Sequence, residues 1–190
     1  MKNLRRVHLL RRLLAFLLAL AVGGLPGLGA AQTKPQTLYE AEAYLLYLFA
    51  MYTEWPKEAF ADERAPFVLG ILGKDPFEKG IEFIKGKTVK GRNLVVTNFS
   101  SIQQVSGCHI LFISSSEKDH LGEILKSLEN SNILTVAEMD RFIEQSGMIS
   151  IFVEKTRTGF GNLKYDVNQR AAEKAKLRIN SYVLAKAGRT

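Results

Sequence analysis

The stretch of residues 109–113 is the sequence feature that most narrows the folds open to this chain. Its side chains, His-Ile-Leu-Phe-Ile, form a short and almost continuous apolar run. Such a run is typical of a β-strand buried on both faces, as in a parallel sheet that helices cover on each side. We therefore expect two layers of helix around a largely parallel sheet.

The rest of the chain alternates between strand and helix patterns. Strands are predicted for residues 67–72, 93–99, 109–113, 133–136, 148–154 and 159–166. Helices are predicted for residues 38–54, 76–86, 116–128, 137–145, 168–176 and 180–186. In the second of these helices Asp75 is the expected N-cap and Gly86 the end, and Asn168 is the expected N-cap of the fifth. The alternation predicts an α/β three-layer sandwich, with a mostly parallel sheet and an antiparallel C-terminal hairpin whose turn falls at residues 155–159.

Residues 1–31 have the three parts of a secretory signal peptide. A basic stretch ends at Arg12, an apolar run covers residues 13–22, and residues 27–31, Gly-Leu-Gly-Ala-Ala, form an end made mostly of small residues. The apolar run is shorter than the roughly 20 residues that span a bilayer, so cleavage after Ala30 or Ala31 is expected rather than a membrane anchor. The sequence thus predicts export and a single mature domain over residues 32–190.

The charge balance changes when this leader is set aside. The chain has 26 Lys and Arg against 19 Asp and Glu, a net charge of +7. Five of the bases and none of the acids lie in residues 1–31, which leaves a net charge of +2 on the remainder. A nearly neutral, exported domain is not expected to bind nucleic acid.

Residue patterns that carry catalysis or metal binding are missing from the mature sequence. Its two histidines, His109 and His120, do not have metal-ligand spacing, and the turn at Gly73 lacks the glycines of a nucleotide site. Ser114, Ser115 and Ser116 lack the surroundings of an activated nucleophile. We expect no catalytic residue, metal or cofactor, and a protein that acts by binding; a hydrolase with an unrecognised site is a further hypothesis.

The helix at 38–54 and the residues after it are the candidate binding region. This helix is apolar around much of its circumference, which fits either plain burial or a second face for a partner. Trp55, the lone tryptophan, stands between Tyr52 and Pro56. It is either a core anchor or part of an aromatic ligand pocket or partner face.

Cys108 is the lone cysteine and cannot form an internal disulfide. Free cysteine is among the most buried residue types, and His109, next along the strand, should point to the opposite face. Cys108 is therefore either an inert core thiol or a link between two chains.

Several blocks along the chain together resemble the YfiR family of periplasmic proteins. In order they are residues 42–50 running into 54–56, 69–77, 86–92, 108–113, 133–136, 147–149, and Asn168 with 177–181. The family-typical positions among them are Phe49, Trp55, Pro56, Gly73, Asp75, Gly147 and Asn168. The resemblance spans about residues 40 to 185, nearly the whole mature domain.

This resemblance implies an α/β sandwich, commonly dimeric, that binds the periplasmic sensor domain of an inner-membrane diguanylate cyclase. Such a repressor keeps cyclic di-GMP synthesis low, and its release favours biofilm growth. Phe49, Tyr52, Trp55 and Pro56 are the candidate ligand- or partner-binding residues. The alternative is a periplasmic small-molecule binder that passes a signal to a kinase or transporter.

One position departs from the family pattern. The best-known members carry paired cysteines that tie redox state to stability, and Gly70 occupies a place where a partner for Cys108 often sits. The resemblance therefore does not extend to redox control through an internal disulfide.

Overall fold

The computed structural model describes residues 34–155 and 161–188. The leader at 1–31 and most of the predicted turn at 155–159 lie outside the described residues. Four α-helices are described: α1 Leu38–Tyr52, α2 Leu121–Ser127, α3 Gln169–Lys174 and α4 Ser181–Leu184. The described strands are β1 Thr53–Glu54, β2 Phe67–Leu72, β3 Thr88–Val89, β4 Arg92–Phe99, β5 Ile110–Ile113, β6 Leu134–Ala137, β7 Ile149–Lys155, β8 Gly161–Val167 and β9 Arg178–Ile179.

The main sheet has seven strands in the order β3-β4-β2-β5-β6-β7-β8. The five central strands from β4 to β7 run parallel to one another, whereas β3 at the edge pairs antiparallel with β4. The last two strands, β7 and β8, pair antiparallel from Ile149 with Val167 to Lys155 with Gly161. The predicted mostly parallel sheet with an antiparallel C-terminal hairpin is confirmed, and β1 with β9 adds a separate two-stranded sheet.

Helices cover both faces of this sheet, as predicted. Along β5, Ile110 and Phe112 face the core beneath α1, whereas Leu111 and Ile113 face the core beneath α2. All four side chains are buried, because successive residues of a strand point to opposite faces. The continuous apolar run is thus the middle layer of a three-layer sandwich.

Helix α1 packs on one face of the sheet through a stripe of buried residues, and a capped N-terminus fixes where the helix begins. The Thr37 hydroxyl accepts a hydrogen bond from the Glu40 N–H at 3.1 Å, and the Glu40 carboxylate accepts one from the Gln36 N–H at 2.7 Å. The first contact satisfies an N–H group that the first helical turn leaves unpaired, and the second ties the residue before the N-cap to the helix. The helix ends at Tyr52, where Thr53 enters β1 and pairs with Ile179.

The α-helix predicted after Asp75 is wrong. The Asp75 carboxylate does accept a hydrogen bond from the Phe77 N–H at 2.8 Å, but Glu78 then takes a positive φ of 49°, which interrupts an α-helix. Only a 3₁₀ helix, Gly80–Ile84, follows. Gly80 lies so close to α1 that an added Cβ would be 2.6 Å from the Tyr39 carbonyl carbon. The left-handed conformation of Glu78 and the close approach of α1 to Gly80 therefore restrict this segment to a tight turn.

The helix predicted for residues 137–145 is also wrong. Arg141 and Ser146 have positive φ values of 59° and 76°, and the segment forms successive turns after β6. Its apolar side chains Met139 and Phe142 are buried in the core beneath α2. They produce a helix-like pattern because they cover the sheet, although the backbone is not helical.

Candidate functional site

An aromatic pocket lies at the edge of the sheet where its parallel strands begin. Phe67 starts β2, Arg92 starts β4 and His109 precedes β5, and parallel pairing brings these three positions together. The pocket has a volume of about 290 Å³. It is lined by Glu54, Trp55, Phe60, Phe67, Val89, Lys90 and Arg92. We call it the aromatic pocket.

Ring contacts build the wall of the aromatic pocket. The His109 imidazole stacks on Phe60, with ring centroids 4.4 Å apart, and on Phe67, at 4.8 Å. Trp55 meets the edge of Phe67 at 5.0 Å, and its indole N–H donates to the His109 carbonyl oxygen at 3.3 Å. The Arg92 guanidinium lies over the opposite side of Phe60, 4.0 Å from the ring centre. These contacts fix the rings against each other.

His109 has a structural part in this wall. Its Nδ1 accepts a hydrogen bond from the Val68 N–H at 3.0 Å, so its Nε2 carries the hydrogen and donates to the Ala59 carbonyl at 3.1 Å. Burial lowers the pKa of the imidazole, and the nearby Arg92 charge lowers it further. His109 is thus a neutral side chain with both ring nitrogens engaged.

The two cations of the aromatic pocket hold its loops. The Arg92 guanidinium donates to the Asp62 and Ala65 carbonyls at 3.0 and 2.6 Å, which ties down the chain before β2. The Lys90 ammonium donates to the Thr53 carbonyl at 2.6 Å. Each cation keeps further hydrogen-bonding capacity, because an ammonium has three donors and a guanidinium five.

The four predicted binding residues do not converge on one site. Trp55 lines the aromatic pocket, and Pro56 follows it at the start of the 3₁₀ turn Lys57–Ala59. Tyr52 lies on the surface with 37 % of its area exposed and packs against Tyr182, with ring centroids 4.8 Å apart. Phe49 is buried in the core against Tyr165.

Phe60, Phe67, Arg92 and His109 were not predicted as site residues. They come from separate segments, and the sequence alone does not show that these segments meet. The available signal was that Phe67 and His109 stand at the starts of neighbouring parallel strands, which share one edge of the sheet.

Cys108 lies on the face of the sheet opposite α1, beneath the side chains of Phe99 and Leu111. It is 6 % exposed, and its thiol donates to the Ile110 carbonyl. Burial raises the pKa of this thiol to about 12. A Cβ added to Gly70 would lie 2.9 Å from the sulfur, so position 70 is adjacent to the thiol in space.

The opposite edge of the sheet, where parallel strands end, is the usual ligand position in open α/β folds. In this protein the segment that follows β2 contacts the segment that follows β5 at that edge. The Ser116 hydroxyl accepts a hydrogen bond from the Lys74 N–H at 3.0 Å, and Ser116 and Glu117 fill the space that a side chain at Gly73 would need. A phosphate at this turn would have to displace these contacts.

Glu42 is the buried carboxylate of α1, with only 3 % of its area exposed. Burial, and secondarily the charge of Glu138, raise its pKa to about 7. Within residues 34–155 and 161–188, no group of three or more His, Cys, Asp or Glu side chains is placed to hold a metal ion. Glu42 and Glu138 form a pair of acids that influence each other, and the burial of Glu42 makes a negative charge there unfavourable.

The fold defines the class of protein: a small α/β domain with a mostly parallel sheet, here with an aromatic pocket where the strands begin. The chain belongs to the YfiR/HmsC-like family, because the family model matches residues 39–187. This match confirms the resemblance. No curated protein matches the chain.

The family consists of periplasmic regulators of diguanylate cyclase signalling rather than enzymes, and this chain is a regulator of that kind. In the part of the chain that the structure describes, no helix is both long and apolar enough to cross a membrane.

Proposed function

We propose that this protein represses an inner-membrane diguanylate cyclase by binding the periplasmic sensor domain of that enzyme. Its membership of the YfiR/HmsC-like family, over residues 39–187, is the observation that carries this proposal. Bound to the sensor domain, the protein holds cyclic di-GMP synthesis low. Its release allows the second messenger to rise.

The surface at the end of α1 supports a protein contact. Tyr52 and Tyr182 pack against each other with ring centroids 4.8 Å apart, while 37 % and 49 % of their areas stay exposed. The Lys186 ammonium lies 4.9 Å from the centre of the Tyr182 ring. Exposed tyrosines held in fixed positions are enriched at protein interfaces, because they bury much area with little loss of side-chain freedom. We assign this tyrosine pair to the cyclase contact.

The test is a measurement of cyclic di-GMP in cells. Deletion of the gene should raise the level, and the wild-type chain supplied in trans should restore it. The double variant Tyr52→Ala, Tyr182→Ala should fail to restore it, whereas Tyr39→Ala, an exposed tyrosine at the other end of α1, should succeed. Periplasmic amounts of each variant are compared by immunoblot. An unchanged level after deletion would contradict repression.

A direct binding measurement then separates repression from an indirect effect. The purified chain is mixed with the isolated sensor domain of each cyclase encoded by the same genome. A domain that binds the wild type and Tyr39→Ala, but not the double variant, identifies the partner. Binding that is equal for all three would place the contact elsewhere.

A second function is favoured by the aromatic pocket, which has room for a small ligand. We propose that it takes a compact planar molecule that packs against Trp55, with the spare donors of Lys90 and Arg92 available for its polar group. In the regulator this ligand would modulate the cyclase contact. In the alternative function it would pass a signal to a kinase or transporter.

Trp55 makes this second proposal easy to test, because it is the lone tryptophan of the chain. A metabolite panel is screened for changes in tryptophan fluorescence and for a rise in unfolding temperature, since a ligand that binds the native state stabilises it. A true ligand should lose its stabilising effect with Trp55→Ala but keep it with Tyr52→Ala. A panel of planar metabolites with no effect on either signal would contradict the proposal.

We also propose that residues 1–31 direct export and are then removed. The five bases and the apolar run support this, and the family is periplasmic. Mass spectrometry of protein from the periplasm should find an N-terminus at Ala31 or Gln32. An intact leader on the periplasmic protein would contradict cleavage.

A further inference from the structure

A cavity separate from the aromatic pocket lies at the edge of the sheet where β6 and β7 begin. Its volume is about 430 Å³, within the range of roughly 300–1,000 Å³ that small-molecule sites occupy. Its walls are α2 with the turn after it, the segment before β7, and α3. No described residue lines both cavities. We call this one the α2–α3 cavity.

The bottom of the α2–α3 cavity is mostly apolar. Its buried lining residues are Leu125, Thr135, Met148 and Ala175. Thr135 is the polar one among them. Its hydroxyl accepts a hydrogen bond from the Met148 N–H at 3.1 Å, and the hydroxyl hydrogen itself has no described acceptor. This bottom suits the apolar body of a small molecule.

Two lysines from different helices line the cavity. Lys126 is in the last turn of α2, and Lys174 is the last residue of α3. Among residues 34–155 and 161–188, neither ammonium has a hydrogen bond or an ion pair. Glu129 is the one acid among the described lining residues, so two positive charges stand against one negative charge. The lining therefore favours an anion.

These lysines are not needed to cap the helices that carry them. A cation near the C-terminus of a helix can interact with the last carbonyls, which carry a partial negative charge. Here the Leu128 N–H donates to carbonyls in the last turn of α2, and the Ala175 N–H does the same in α3. Both ammoniums thus remain available to a ligand.

Gly122 leaves the α2 wall of the cavity open. It is the second residue of α2 and lines the cavity, although glycine is unfavourable in a helix relative to alanine. A Cβ added to Gly122 would meet no atom within 4 Å, so packing does not require glycine at this position. A side chain there would instead take up space beside the cavity.

We propose that the α2–α3 cavity binds a small organic anion, whose apolar body lies on the buried bottom and whose acidic group contacts Lys126 and Lys174. Hydrogen bonds from an ammonium to an acidic group are among the strong ones in proteins. Three further polar side chains of the lining can donate to the same group: Asn130, Gln145 and Ser146.

This inference goes beyond the proposed function and does not depend on it. None of the residues that line the α2–α3 cavity belongs to the aromatic pocket or to the tyrosine pair. A failure of the cyclase experiments would leave it standing, and its own failure would leave the cyclase proposal standing.

The test is a calorimetric titration of protein purified from the periplasm after expression of the full chain, with octanoate as the probe. Octanoate should bind. Two compounds should each bind at least about tenfold more weakly: 1-octanol, which has the same body without the charge, and propionate, which has the same head group on a shorter body. Octyl phosphate is titrated in parallel to distinguish a phosphate from a carboxylate head group. Tryptophan fluorescence should not change, because Trp55 lies in the aromatic pocket.

Lysine variants test the assigned contacts. Lys126→Met and Lys174→Met should each weaken octanoate binding about tenfold and leave 1-octanol binding unchanged, because methionine keeps an apolar chain but removes the charge. Lys79→Met, at an exposed lysine outside the cavity, is the matched control and should bind octanoate as the wild type does.

Gly122→Leu tests the cavity without removing a charge. The variant should fold, since leucine is more favourable than glycine in a helix and the added Cβ meets no atom, and urea unfolding checks this. Its side chain should take the space of the ligand and abolish octanoate binding. The smaller change Gly122→Ala should retain binding.

Each other result overturns the proposal. Failure of both octanoate and octyl phosphate to bind does so, as does 1-octanol that binds as tightly as octanoate, and neither result requires a variant. Octanoate binding that both lysine variants or Gly122→Leu leave intact places the anion elsewhere. A change in tryptophan fluorescence on binding assigns the anion to the aromatic pocket.

Discussion

At the scale of single residues, Glu42 is the group through which pH should act on stability. An unfolded glutamate titrates near 4.5, whereas burial, and then the charge of Glu138, raise the pKa of Glu42 in the fold to about 7. The folded protein therefore holds a proton that the unfolded chain releases between these two values. The contribution of Glu42 to the free energy of unfolding is most favourable below pH 4.5 and decreases as the pH rises to about 7.

Glu42→Gln should remove this pH dependence. The amide has nearly the same shape but no charge, so we expect the variant to gain roughly 2–3 kcal/mol relative to wild type at pH 8 and nothing at pH 4. Urea unfolding of both proteins across this range measures the difference. Glu123→Gln, at an exposed position of α2, is the control. A difference that does not change with pH would contradict the assigned cause.

Gly70 and Cys108 offer a second test at residue scale. An added Cβ at position 70 would lie 2.9 Å from the Cys108 sulfur, close to the distance of about 3 Å that a disulfide requires. Gly70→Cys should therefore form a disulfide under air. Its loop of about 38 residues should stabilise the protein by roughly 4 kcal/mol, against an overpacking cost of roughly 1–3 kcal/mol near Phe99 and Leu111.

The matched control is Gly70→Ser, which has nearly the size of cysteine and cannot form the bond. It should lose roughly 1–3 kcal/mol by overpacking alone. Denaturant unfolding with and without reductant distinguishes the two variants, because only Gly70→Cys should lose stability on reduction. Two free thiols in aerated Gly70→Cys would show that the distance is misjudged.

At the scale of elements, the sheet was more predictable than the connections. The strand from Ile110 to Ile113 was predictable because its apolar run has one favourable environment, the middle of a covered sheet. The segments after Asp75 and after Ala137 were not, since their buried residues satisfy a helical spacing while Glu78, Arg141 and Ser146 have left-handed backbones. No glycine or asparagine marks those three positions, so the sequence has no signal for the break.

The loop between β1 and β2 gives a prediction at this scale. Arg92 holds it by donating to the Asp62 and Ala65 carbonyls and by lying over Phe60. Arg92→Lys keeps the charge but loses the planar fork, so amide exchange in residues 57–66 should rise about tenfold. Mass spectrometry of peptides from this loop measures the change. Arg64→Lys, in the same loop, is the control, and equal exchange in the two variants would show that Arg92 does not hold the loop.

At the scale of the whole molecule, the candidate site was only partly predictable. Trp55 could be singled out because it is the lone tryptophan and stands between Tyr52 and Pro56 in the sequence. Its neighbours in the aromatic pocket, Phe60, Phe67 and Arg92, come from three other segments. They meet because β2 and β4 run parallel and start at one edge, and this pairing is a property of the complete sheet.

The complete molecule should also be indifferent to redox conditions. It has one cysteine, which is 6 % exposed, and burial raises the pKa of its thiol to about 12, so little reactive thiolate forms near neutral pH. We expect the free energy of unfolding to agree within about 0.5 kcal/mol with and without reductant. A non-reducing gel should show no covalent dimer, because the buried thiol is not accessible to a second chain. A covalent dimer, or a loss of stability on reduction, would mean that Cys108 links two chains. Signals that act on this regulator should therefore reach it through a bound partner or ligand, and Gly70→Cys should be sufficient to make its stability sensitive to reductant.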